Sequence, residues 1–140
     1  MLAAALAWSA AGCGGGNGPS IVLYNGQHRQ LTEALVSAFE KQTGIAVRMR
    51  TNDSVVLADQ ILQEGSASPA DVFISENSPE LMMLQQHRLL ARLGRPVLDQ
   101  IPAKDESPTG EWVGMALRVS SLAYDPALLA SSQLPASTGV

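Results

Sequence analysis

From residue 21 onward, short apolar runs alternate with stretches in which apolar residues recur every three or four positions. That alternation predicts consecutive βαβ units, and so an α/β fold with a mostly parallel sheet flanked by helices. IVLY at 21–24 predicts the first strand. Leu31, Ala34, Leu35, Ala38 and Phe39 mark the buried face of a first helix, with Gly44 placed just past its C-terminus. IAVRMR at 45–50 alternates apolar and basic residues, which predicts an edge strand carrying Arg48 and Arg50 on a solvated face. Asn52, Asp53 and Ser54 supply capping chemistry for a second helix, whose buried face is Val55, Ala58, Ile61 and Leu62 and which ends before Gly65. Residues 71–75 are apolar on both faces, as expected in the middle of a sheet. Ser78 as cap and Pro79 as first helical residue open a third helix with Leu81 and Leu84 inward. Residues 94–110, rich in proline, glycine and charge, predict an irregular connection. WVGMALRVSSLAYD at 112–125 predicts one or two further strands.

Composition excludes some partners. With 46% hydrophobic and 16% charged residues, the 140-residue chain can bury a core. The net charge of −4 is spread without a basic run, which removes the electrostatic footprint of a nucleic-acid binder. An aromatic content of 4% removes the stacking platforms of single-strand binding as well.

The N-terminal twelve residues, MLAAALAWSAAG, are uncharged and apolar or small, the pattern of an export signal. They are too few to span a bilayer, which takes about 20 helical residues. The following AAGC resembles the lipobox of bacterial lipoproteins, although Ala10 stands where leucine is usual and no positive charge precedes the run. The resemblance implies lipidation of Cys13, against the plainer reading of a thiol in a flexible tail. GGGNGPS then reads as a tether. The organisation expected is an export signal at 1–12, a lipidated cysteine and tether at 13–20, and at 21–140 the N-terminal part of a longer protein. Cys13 is the single cysteine, so no disulfide is expected and the core must hold the fold alone.

Two segments share one design. YNGQH follows the first strand and SEN the third, each leading into a helix. In an open parallel sheet, loops at the carboxyl ends of strands form the ligand crevice. If the strand order is 2-1-3, the first and third strands run about 4.8 Å apart, and His28 and Glu76 share that crevice. An imidazole beside a carboxylate suits a metal ion that accepts nitrogen and oxygen donors. Spacing alone leaves two plainer readings open: a surface histidine at a helix start, and a glutamate that compensates a helix dipole.

VLYNGQH, AFEKQTGIAV, QILQEGSASPADVFISEN and WVGMALRVSSLAYD occur in one order from about residue 21 to 130. In that order they resemble the N-terminal part of the bacterial periplasmic ferric-iron-binding proteins, the solute receptors of iron ABC importers also called bacterial transferrins. The resemblance implies a type II periplasmic-binding-protein fold, of which this chain is the N-terminal lobe and from which the second lobe is missing. It implies His28 and Glu76 as ligands of Fe(III). The remaining ligands it implies are a pair of adjacent tyrosines and a synergistic anion such as phosphate or carbonate, contributed by the other lobe. Tyr24 and Tyr124 each stand alone in a predicted strand and read as packing residues. The partners implied are a permease, ferric iron and a membrane reached through the lipid anchor, for a monomer held in the periplasm or on the outer face of the cell membrane.

Other residues near the motifs admit two readings. Gln27 and Asn77 either orient the metal ligands or act as turn and capping residues. Arg118, a charge inside an apolar run, pairs with a buried carboxylate or binds the anion. His87, near the end of the third helix, reads as a solvated residue facing a helix C-terminus. Three alternatives to the iron receptor stand. One is a receptor of the same fold for a polyamine, thiosulfate or organic anion, since fold does not fix cargo. Another is a hydrolase or transferase using Glu76 as general base, which lacks a nucleophile elbow, a P-loop and a dinucleotide fingerprint. The third is a structural lipoprotein without a ligand. The expectation is a binding protein and not an enzyme.

Overall fold

The computed structural model describes residues 18–117 and 122–135. The segment 1–12 read as an export signal, Cys13 and Arg118 lie outside the described residues. The elements are β1 (Ser20–Asn25), α1 (Arg29–Thr43), β2 (Ala46–Thr51), α2 (Ser54–Glu64), β3 (Val72–Ile74), α3 (Ser78–Gln86) and a short α4 (Arg95–Leu98). Three 3₁₀ turns, Gly65–Ala67, Ala103–Asp105 and Ser131–Gln133, punctuate the chain. The strands are parallel in the order β2-β1-β3. The chain leaves β1 for β2 on one side and β3 on the other, with α1 over the sheet face of Ile21 and Leu23 and α2 over the face of Val22 and Tyr24.

The core lies on the α2 face. Tyr24 from β1, Leu57, Ala58 and Ile61 from α2 and Leu84 from α3 are buried together, with Val22, Phe73 and Leu62 packed around them. Their alternation along β1 follows the two-residue period of a strand. The phenol of Tyr24 is satisfied inside this core. It donates to Glu64 Oε1 at 3.0 Å and accepts from Arg50 Nη1 at 3.0 Å and Gln60 Nε2 at 3.1 Å. Arg50 also stands over the ring, 5.1 Å from its centroid. Edge strand β2 alternates as expected, with Arg48 and Arg50 exposed, and Arg50 reaches back from the solvated face to the Tyr24 hydroxyl.

On the other face, α1 docks through a stripe different from the one its apolar spacing predicts. Thr32 is buried and Val36, Phe39 and Glu40 are partly buried, whereas Leu31, Ala34, Leu35 and Ala38 are exposed. Polar anchors set this rotation. The Thr32 hydroxyl donates to Asn25 Oδ1 at 2.8 Å, and Val47 N donates to Glu40 Oε1 at 2.7 Å, so each end of the stripe is tied to the sheet by a hydrogen bond. Counting hydrophobic residues misses such a stripe. Gly44 ends the helix as predicted, with φ 73° and its N–H on Glu40 O at 2.8 Å.

Three further expectations are corrected. Val55 points away from the core, and Leu57 takes the buried position in α2. Among the described residues it is β1, not the apolar strand β3, that stands between two strands, and Val72 of β3 is 43% exposed. An apolar run reports side-chain burial on two faces, not how many ladders its backbone joins. Lastly, the described part of 112–125 contains no strand beyond a single antiparallel bridge from Val113 to Glu106. Buried Ser107 organises that region as a tight loop: its Oγ accepts from Glu111 N at 2.8 Å and Trp112 N at 3.3 Å. Trp112 is pinned to α3 through Nε1 on Gln85 Oε1 at 2.8 Å. Strand propensity is realised only where a neighbouring strand supplies ladder bonds, and this loop spends them locally.

Candidate metal centre

The site is built from the ends of β1 and β3 and the starts of the helices that follow them. At the end of β1, Asn25 is fully buried and its amide replaces backbone bonds that the turn cannot make. Oδ1 accepts from Gln27 N at 3.1 Å as well as from Thr32, while Nδ2 donates to Gln27 O at 2.9 Å. This folds residues 25–27 back on themselves and delivers His28 to the N-cap of α1. The His28 carbonyl accepts from Leu31 N at 3.1 Å and Thr32 N at 3.2 Å, so the backbone is held while the imidazole projects outward, 75% exposed.

Gly26 is required for a steric reason. A Cβ there would run into Ser54 Oγ and Cα at the start of α2. The close approach has a purpose: Ser54 Oγ donates to Gly26 O at 3.3 Å and accepts from Glu76 N at 3.0 Å. A backbone bond from Gly26 N to Ile74 O at 2.7 Å completes the junction. The loops after β1 and β3 are thereby joined through one hydroxyl contributed by a third element. Ser54, read from sequence as capping chemistry, is the first residue of α2, behind an Asp53 N-cap that makes no side-chain cap bond.

Glu76 follows β3, and its Oε1 lies 3.8 Å from His28 Nε2. The glutamate side chain is 29% exposed, at the edge of a depression of about 340 Å³ lined by Gly26, Asp53, Ser54, Asn77 and Glu80 among others. The carboxylates of Asp53, Glu76 and Glu80 give this mouth a negative character that favours a cation. With metal–donor bonds of about 2.1 Å, two neighbouring donors on one ion stand about 3 Å apart, so a small swing of the exposed imidazole brings the pair to bonding distance. Among the described residues no group of three or more His, Cys, Asp or Glu side chains converges on one point.

The remaining candidates divide. Gln27 Oε1 accepts from the His28 backbone N–H at 2.9 Å; it steadies the backbone and does not touch the ring. Asn77 is the N-cap of α3 without a side-chain cap bond, and its N–H goes to Ser75 Oγ at 3.3 Å. His87 is exposed at the end of α3, its Nδ1 2.9 Å from Met83 O, as expected of a helix C-terminus. Tyr24 is a core residue. Burial, followed by the hydrogen bond and negative charge of Glu64, raises its pKa and keeps the phenol protonated, the opposite of what a phenolate ligand needs. Tyr124, expected in a strand, is exposed and lies in none. Sequence reasoning passed over Asn25, Thr32 and the inter-loop role of Ser54. An asparagine directly before glycine at a strand end was the available signal for the first.

A family model described as bacterial extracellular solute-binding protein matches residues 21–130, and the chain belongs to that family. The Fe(3+)-binding periplasmic protein of Serratia marcescens is 43% identical over 117 residues, covering 84% of this chain and 35% of that protein. The major ferric iron-binding protein of Neisseria gonorrhoeae is 36% identical over 116 residues, covering 81% and 35%. Among solved structures, iron-bound HitA from Pseudomonas aeruginosa matches with a TM-score of 0.77 at 38% identity, over 84% of this chain and 38% of that one. The open conformation of Mannheimia haemolytica ferric iron-binding protein A matches with a TM-score of 0.63 at 31% identity, over 69% and 30%. The chain thus spans about a third of the length of the relatives it matches. The resemblance read from the motifs holds: the relatives are named as ferric-iron-binding proteins, that of Serratia marcescens as periplasmic, and the parallel α/β fold is shared with iron-bound HitA.

Proposed function

We propose that this chain forms one wall of an extracytoplasmic receptor that captures ferric iron, with His28 and Glu76 as the donors it contributes. The observation that carries the reading is the 3.8 Å approach of His28 Nε2 to Glu76 Oε1 across the ends of adjacent parallel strands. It is supported by relatives named for ferric iron. Fe(III) is small and highly charged, so anionic oxygen dominates its affinity, and one imidazole with one carboxylate leaves most of its shell to other donors. In the whole protein, further oxygen ligands and an anion such as phosphate or carbonate complete the shell, and closure over the ion joins the two sets. The receptor binds and releases; it performs no covalent chemistry. Delivery to the permease of an ABC importer, tethering through a lipidated Cys13 and a monomeric state complete the proposal.

The test is ferric iron, offered as its citrate chelate, to the whole protein and to its His28→Ala and Glu76→Ala variants. Each variant should bind at least about tenfold more weakly than the parent. Unchanged affinity in both would remove the pair from the site. A parent that takes a polyamine, thiosulfate or organic anion but no iron would assign the other cargo.

A further inference from the structure

Resting on the iron reading above, we infer that Ser54 is the positioning residue of the metal pair: its hydroxyl sets the spacing of His28 and Glu76 by clamping their two loops together. Three observations carry this. Ser54 is buried at 8% exposure, so few of its contacts are with water. Both of its bonds go to ligand-bearing loops, Gly26 O at 3.3 Å on one side and Glu76 N at 3.0 Å on the other. Any side chain at position 26 would collide with it, so the loop before His28 is shaped around that hydroxyl. Ser54 also belongs to neither ligand loop. It opens α2, the helix after β2, and so ties the two donors to a rigid element that packs in the core through Leu57, Ala58 and Ile61. Without the hydroxyl, the bridge from Glu76 N through Ser54 to Gly26 O is lost, while the backbone bond from Gly26 N to Ile74 O stays. The pair then spreads over more separations, and each donor binds the ion without the advantage of the other being in place.

The experiment uses the whole protein with ferric citrate as the probe. Ser54→Ala should weaken iron binding about tenfold, and Ser54→Thr, which keeps the hydroxyl, should restore most of the loss. In a Glu76→Ala background, Ser54→Ala should cost almost nothing further, because its effect runs through the pair. A purely structural serine would lower affinity equally in both backgrounds, and that result overturns the inference. So does parental affinity in Ser54→Ala when Glu76→Ala is weak, an outcome that leaves the iron reading intact. If the parent binds no ferric iron, the iron reading fails and this inference fails with it. Should Ser54→Ala not fold, Ser54→Cys keeps the volume while weakening both hydrogen bonds, and it carries the same comparison.

Discussion

Asn25 and Thr32 meet inside the protein, hydroxyl to amide oxygen at 2.8 Å, and that contact joins the turn before His28 to the helix after it. The amide of Asn25 is also bonded to the N–H and C=O of Gln27. One buried side chain therefore holds both the shape of the ligand loop and the docking of α1.

Asn25→Ala should lower stability by about 2–3 kcal/mol, since it strands buried backbone groups as well as the Thr32 hydroxyl. Thr32→Val keeps the shape and leaves most of the network, and should cost about 1 kcal/mol. Urea denaturation of the whole protein checks both, and an Asn25→Ala as stable as the parent would remove the residue from this role.

Helix faces offer a sharper contrast. Leu57→Ala should cost about 2–5 kcal/mol, because Leu57 is fully buried against Tyr24 and Leu84. Val55→Ala and Leu31→Ala, at exposed positions, should stay within about 0.5 kcal/mol. Thermal melting of the three variants separates the observed docking from the one predicted by apolar spacing, which reverses the roles of Val55 and Leu57.

Acid and base act on the Tyr24–Glu64 pair in opposite directions. Hydrogen bonds from Ser68, Gln60 and Tyr24 hold the Glu64 carboxyl below its ordinary pKa, outweighing the upward push of its burial. Its folded pKa is depressed, so its contribution is present above about pH 4.5, the ordinary glutamate value, and is lost as pH falls through the folded pKa. Tyr24 is raised, mainly by burial. Its contribution is complete below about pH 10 and lost as pH climbs through the folded value. Glu64→Gln should therefore flatten the acid limb of a stability–pH curve and leave its alkaline limb to Tyr24. An unchanged acid limb would show that other carboxylates carry it.

The metal pair should separate binding from stability. The His28 imidazole is 75% exposed, so His28→Ala should shift stability by no more than about 0.5 kcal/mol while iron affinity drops at least about tenfold. Calorimetric melting of the iron-free protein alongside a ferric titration reads the two effects independently. A loss of stability equal to the loss in binding energy would mean that His28 supports the fold and not the ion.

Much of the architecture was legible in order and spacing. The βα alternation, the stop at Gly44 and the edge position of β2 follow from local pattern, because backbone sterics and hydrophobic period act over a few residues, whereas the adjacency of the strands before His28 and Glu76 rested on an assumed strand order. The errors have a common source. Thr32 and Glu40 turn α1 by means of polar bonds that a hydrophobic count ignores. Ser54 looked like a cap because its partners, Gly26 and Glu76, are remote in sequence.

The chain alone thus determined the class of fold and the strand-end loops in which His28 and Glu76 lie. Tertiary structure decided which face each helix buries, that among the described strands β1 stands between β2 and β3, that the Trp112 indole is tied to the Gln85 side chain of α3 instead of joining a ladder, and how far apart the His28 and Glu76 side chains stand. Those outcomes depend on hydrogen bonds and packing between residues distant along the chain, and such pairings have no period for a linear reading to detect.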